Sequence, residues 1–125
     1  MVEYPKYLDD VLARFKDGWM KTISCDSGWF PLIQRLHEKI VLIDGNYEVL
    51  QIKEKFGGLR FYYVPSNPEF APEIDKEVLN SERISFLTCE VTGKPGQPMK
   101  RHGQIKTLHH SFIDKGWKPL GSTTE

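Results

Sequence analysis

The cysteines and histidines are the first candidates in this chain for metal ligation or for nucleophilic and proton-transfer chemistry: Cys25 and Cys89, and His37, His102, His109 and His110. Their spacing assembles no catalytic device. No Gly-x-Ser-x-Gly turn exposes a serine, no His-Glu-x-x-His pair seats a catalytic zinc, and no Gly-Lys-Ser/Thr loop opens a helix for phosphate. His37 falls beside the apolar stripe of a predicted helix, where a histidine serves as a core-edge residue. A chain of 125 residues does not need a disulfide to fold, so Cys25 and Cys89 are expected as free thiols. The expectation is a binding protein rather than an enzyme, without a cofactor; an enzyme built from Cys25, Cys89 and the histidines is the weaker alternative.

A different chemistry resides in Lys53-Glu54-Lys55-Phe56-Gly57-Gly58-Leu59-Arg60-Phe61-Tyr62-Tyr63, which interleaves basic, glycine and aromatic residues as a nucleic-acid stacking surface does. The same pattern suits a hairpin packed on helices. Lys53, Lys55 and Arg60, with Lys94, Lys100, Arg101 and Lys106 further on, are the candidate partner-binding residues. Formal net charge is zero, which argues against a general polyanion binder, but the charge is uneven. Residues 1–93 hold 11 basic and 15 acidic side chains, while residues 94–125 hold 6 basic and 2 acidic ones. A basic segment on an acidic body suits phosphate or an acidic partner, although solvated lysines give the same count.

The elements that must position these residues follow from periodicity. Tyr7, Leu8, Val11, Leu12 and Phe15 predict an amphipathic helix over 4–16, and Leu32, Ile33, Leu36, Ile40 and Ile43 predict a second from about Pro31 to Ile43, ended by Asp44-Gly45-Asn46. Residues 47–56 and 59–64 read as two strands of a hairpin, with Gly57-Gly58 supplying the positive φ angles of a tight turn. Pro72 opens a third helix to about Phe86. Residues 88–96 read as a knuckle-like turn, residues 105–108 as a short extended piece, and residues 121–125 as a fraying end. The two main elements each need an apolar partner, so Trp29, Phe56, Leu59 and Phe61 are expected in one core.

The fold class is therefore α+β: helices packed on a small antiparallel hairpin or sheet, followed by a knuckle-like C-terminal segment. One domain over 1–125 is expected, with a body at 1–88 and the C-terminal segment at 89–120. The longest apolar run, Ile40 to Ile43, is far short of the roughly 20 residues that cross a bilayer. No secretory signal opens the chain, so a soluble, cytoplasmic protein with no membrane partner is expected.

Three strings, Cys25-Asp26-Ser27-Gly28-Trp29-Phe30-Pro31-Leu32, the Gln51 to Tyr62 segment, and Cys89-Glu90-Val91-Thr92-Gly93-Lys94-Pro95-Gly96, together resemble a widespread family of small uncharacterised phage and prophage proteins, over roughly residues 25–112. The resemblance implies a C-terminal zinc-knuckle-like module with a Cys-x-x-Cys turn and a later Cys-x-x-His pair. Here the matching positions are Cys89, Thr92, His109 and Phe112, so the knuckle is expected to be metal-free, with Phe112 filling the ligand volume. Only His102 or His110 joining Cys89 and His109 would rebuild a site. The resemblance further implies a phage-type protein that inhibits or modulates a host macromolecule, a host protein or protein–nucleic-acid complex, by surface occlusion, in the manner of an anti-CRISPR. The alternative is a nucleic-acid-binding accessory module.

Overall fold

The computed structural model describes residues 3–121; the fraying expected for 121–125 falls, apart from Gly121, outside them. The N-terminal periodicity yields less helix than its spacing predicts. A 3-10 turn, Lys6–Leu8, runs into the short helix α1, Asp9–Ala13. Helix growth stops because the following residues go to a sheet: Val49 N–H donates to Arg14 O at 2.8 Å and Lys16 N–H donates to Val49 O at 2.9 Å. Leu8, Val11 and Phe15 are buried as their spacing requires, whereas Tyr7 stays exposed.

Strand β1, Ile23–Ser24, has no signal in the sequence. Helix α2, Phe30–Ile43, follows the expected stripe, burying Leu32, Ile33, Leu36 and Ile40 with Pro31 in the first turn. Asp44 ends it. Its N–H donates to Ile40 O at 2.8 Å, and its carboxylate accepts from Asn46 N–H at 3.0 Å, Ser66 N–H at 2.8 Å and Ser66 Oγ at 2.7 Å. Burial works against the charge on Asp44, but these donors outweigh it and hold the carboxyl below its ordinary value.

Strands β2, Glu48–Lys55, and β3, Gly58–Val64, pair antiparallel, and β1 lies parallel to β2, giving the order β1-β2-β3. Val49 and Ile52 are both fully buried although three residues apart, which a regular strand forbids because its side chains alternate. A bulge between Val49 and Gln51 resolves the conflict by adding one residue, so that both apolar side chains face the helices. In β3, Leu59 and Phe61 face inward as expected.

The hairpin turn corrects the sequence reading in one respect. Positive φ falls on Phe56 (53°) and Gly57 (87°), not on the Gly57-Gly58 pair, and this left-handed pair is the two-residue turn whose twist matches the strands. Phe56 is accordingly at the tip and 67% exposed, outside the core that was expected to hold it with Trp29, Leu59 and Phe61. Gly58 begins β3, where a Cβ would run into the ring of Phe86.

Helix α3, Ala71–Ser85, opens after the 3-10 turn Pro68–Phe70, whose cap Asn67 accepts from Glu69 N–H at 2.9 Å. It lies against α2 and β3. The main core joins Leu8, Val11, Phe15, Trp29, Leu36, Ile40, Tyr47, Ile52, Leu59, Phe61 and Ile74. Each fully buried Leu or Ile in it contributes about 1.5–3 kcal/mol relative to exposure.

The C-terminal segment holds more sheet than the one extended piece expected. Strands β4, Gln97–Arg101, β5, Gln104–Leu108, and β6, Lys118–Pro119, form an antiparallel sheet of order β5-β4-β6. A second left-handed turn, His102 (φ 50°) and Gly103 (φ 81°), joins β4 to β5. Cys89, Met99, Leu108 and Trp117 form a separate buried cluster, and Phe112 packs against it. The architecture is thus α+β, and among the described residues no helix is long and apolar enough to cross a membrane.

Candidate functional site

The knuckle keeps a cradle for sulfur. Thr92 N–H approaches Cys89 Sγ at 3.4 Å. Burial alone pushes the Cys89 thiol up, but hydrogen bonds from the Thr92 hydroxyl and from the backbone of Thr92, His109 and Val91 hold it below its ordinary value. The other ligand positions do not fit zinc. Phe112 packs apolar atoms on the Cys89 cluster, and His109 Nδ1 is engaged by Ser111, 3.0 Å from its Oγ and 3.2 Å from its N–H. The His110 ring lies against that of His109, tilted by 40° with centroids 4.0 Å apart. His102 sits in the turn at the far end of the β4–β5 hairpin, separated from His109 by strand β5, roughly 17 Å at about 3.4 Å per residue. Among the described residues no three His, Cys, Asp or Glu side chains are grouped to hold a metal.

The three strings distinguished in the sequence meet at one junction between body and C-terminal sheet. Gly28 N–H donates to Glu90 O at 2.7 Å, Glu90 N–H to Thr107 O at 2.9 Å, and Thr107 Oγ1 to Gly57 O at 2.7 Å. Gly28 is required, because a Cβ there would collide with the carbonyl oxygens of Cys89 and Glu90. The side chain of Glu90, 2% exposed, accepts from Asp26 N–H at 3.0 Å and from Lys106 Nζ at 3.1 Å; Lys106 also lies 3.7 Å from Glu54. Burial works against the charge on Lys106, yet Glu90, Glu54 and Asp26 hold its ammonium above its ordinary value. Cys25, beside this cluster, is a free thiol that burial and the charges of Glu90 and Asp26 push far up, which removes it as a nucleophile.

The candidate basic residues fall into separate groups. Lys106 is turned into the junction, and Arg60 is paired through Nη1 with Glu82 on α3. Lys53 Nζ lies 5.9 Å from the Tyr62 ring centroid and Lys55 Nζ 5.8 Å from that of Phe56, so these two stay at the surface with exposed aromatics. Lys94 is exposed on the knuckle turn.

Lys100 and Arg101 are brought together with two lysines that sequence reasoning missed, Lys115 and Lys118. They line a cleft of about 560 Å³ with His102, Ile105 and two glycines, and among the described residues no carboxylate lines it. The β4–β6 register places Lys100 directly opposite Lys118. Neither forms an ion pair among the described residues. The guanidinium of Arg101 lies over the Trp117 ring, 4.6 Å from its centroid, and Nη1 donates to Lys115 O at 2.8 Å. Its Nε is buried and has no hydrogen-bond partner. Trp117 is only 5% exposed and acts as the floor under Arg101. The excess of lysine after residue 94 was the available signal for Lys115 and Lys118; their meeting depends on a two-residue strand.

A third polar group lies in the body. His37, buried rather than at the core edge, sits 2.6 Å from Tyr47 Oη through Nδ1 and 2.6 Å from Asp10 Oδ2 through Nε2. The order Asp-His-Tyr could relay a proton, but Tyr47 is buried and burial pushes its phenol far up, so it presents no nucleophile. Burial holds the His37 imidazole below its ordinary value despite Asp10, and the group ties α1 to α2.

Comparison of the chain with protein-family models, with curated proteins and with solved structures finds no match.

Proposed function

We propose that this protein is a nucleic-acid-binding module that grips a strand through the basic cleft of its C-terminal sheet and turns nothing over by itself. One observation carries this reading: Lys100, Arg101, Lys115 and Lys118 line one cleft that no carboxylate among the described residues lines, two of them held opposite each other by strand register. A polyanion is the natural neutraliser of such a group. The hairpin tip adds an exposed aromatic, Phe56, under Lys55, and Gly57 fastens that tip to β5.

The test is fluorescence anisotropy with a labelled single strand at several salt concentrations. Phosphate contacts make log K fall linearly with log salt, by roughly −0.7 for each phosphate neutralised on a single strand. Charge reversal at Lys100 and Arg101 abolishes binding, and reversal at Glu73 and Glu77 on α3 leaves it intact. No binding at low salt sinks the reading.

A second reading keeps the phage-family resemblance: a cytoplasmic inhibitor that occludes a host defence complex. Its support is a shallow apolar hollow of about 260 Å³ lined by Trp19, Leu50, Gln51 and Tyr62 on the first sheet, the kind of surface a protein partner covers. Pull-down from defence-bearing cells, with Trp19→Ala as control, decides it. A protein partner lost with Trp19→Ala but retained on reversal at Lys100 favours this reading over the first.

A further inference from the structure

Taking the cleft as a nucleic-acid site, we infer that it holds a phosphate monoester, the terminal phosphate of a strand, with Arg101 as its fork. The charge density points this way. Four permanent cations line the cleft, whereas an internal phosphodiester brings one negative charge and a monoester brings about −1.5 to −2 at neutral pH. Lys100 and Lys118, fixed opposite each other, repel until a doubly charged group lies between them.

The fork is prepared in advance. Stacking on Trp117 and the bond from Nη1 to Lys115 O fix the plane of the guanidinium before anything binds. Nε, on the guanidinium edge that makes bidentate contacts, is a buried donor with no acceptor. Buried donors are rarely left so, and Nη2, which makes no hydrogen bond among the described residues, is the guanidinium nitrogen left to meet a phosphate oxygen. A lysine in this place keeps the charge and loses the fixed plane. The cleft, at about 560 Å³, lies within the range of small-ligand sites, about 300–1,000 Å³, leaving room beyond the phosphate for the nucleotide that carries it.

The experiment compares one labelled single strand in three forms, with a 5′ phosphate, with a 3′ phosphate, and with hydroxyls at both ends, using the full chain. One phosphorylated form is expected to bind about tenfold tighter than the hydroxyl form, and inorganic phosphate to compete with that gain. Arg101→Lys should erase the discrimination, because a lysine keeps the charge and loses the guanidinium's fixed geometry. Lys118→Gln, on the opposite wall and clear of the apolar cluster, should reduce the discrimination too, with an unchanged far-UV circular dichroism spectrum as the fold control. Equal affinity for the three strands overturns the terminal-phosphate inference and leaves the nucleic-acid reading standing; no binding of any strand overturns both. Discrimination that survives Arg101→Lys, or a phosphoserine peptide that displaces the strand more effectively than the phosphorylated strand's own competitor, overturns the assignment of the fork or of the ligand.

Discussion

Lys100 and Lys118 stand face to face across the β4–β6 pair, two like charges in register, and neither is ion-paired among the described residues. Like charges opposite each other in an antiparallel pair destabilise it, by a few tenths to about 1 kcal/mol. Lys118→Gln is therefore expected to raise the melting temperature slightly while weakening strand binding. Thermal melts and anisotropy on the same preparation check it; a fall in both would mean that the pair is not electrostatically strained.

A similar opposition of stability and binding is expected at the hairpin tip. Phe56 holds φ at 53° with its ring exposed, a conformation that costs a bulky residue about 1–2 kcal/mol and that asparagine tolerates. Phe56→Asn should raise stability by about 1 kcal/mol in urea melts. If the ring stacks on a base, the same change weakens strand binding by about 1–3 kcal/mol.

The junction predicts a loss. Lys106 is 25% exposed and Glu90 2%, so removing the ammonium leaves a buried carboxylate without its partner. Lys106→Ala should cost about 3 kcal/mol, whereas Glu90→Gln, which removes the charge but keeps an acceptor for Asp26 N–H, should cost less. Equal effects of the two, measured by denaturant titration, would contradict this.

His37 makes stability depend on pH with a definite sign. Its folded pKa lies below its ordinary value because burial penalises the imidazolium, so the unfolded chain binds the proton first. The contribution is fully present above about pH 6.5 and is lost as pH falls from there toward the folded value. Urea midpoints between pH 8 and 5.5 should decline in the parent and decline less in His37→Gln. A steeper decline in the variant would show that the Asp10 pairing, not burial, governs the group.

Replacing Phe61 by Ala should cost about 3–5 kcal/mol, since the ring is buried in the main core beside Tyr47 and its removal leaves a cavity between sheet and helices. An unchanged urea midpoint would place the ring outside the cooperative core.

Helix α2 and strand β3 were legible because their apolar residues repeat at a single period over a whole element. The truncation of α1 was not: Phe15 keeps helical spacing, but a β-bridge to Val49, thirty-odd positions on, claims its backbone. The bulge at Leu50 is equally invisible, since it is set by the need to bury Val49 and Ile52 together. Phe56 was read as core on its apolarity, when its place at the turn decides its exposure. Of the cleft, Lys100 and Arg101 were found from the excess of basic charge, and Lys115 and Lys118 were not singled out, because β6 is two residues long and has no pattern of its own. The inward turn of Lys106 follows from Glu90 being carried beneath it by the knuckle, a meeting of distant segments that spacing does not encode.

The junction that seats the C-terminal sheet also sets an order of events during synthesis. With four buried side chains in its own cluster, residues 89–121 form a unit of a size that seldom folds unaided, and their fastenings are Gly28, Asp26, Glu54 and Gly57, all made earlier. A nascent chain therefore builds its body first and closes the cleft last, when Lys118 has reached its place beside Lys100. On the nucleic-acid reading proposed above, the growing polypeptide has until then its lysines but no formed cleft as it passes through the nucleic-acid-rich surroundings of the ribosome.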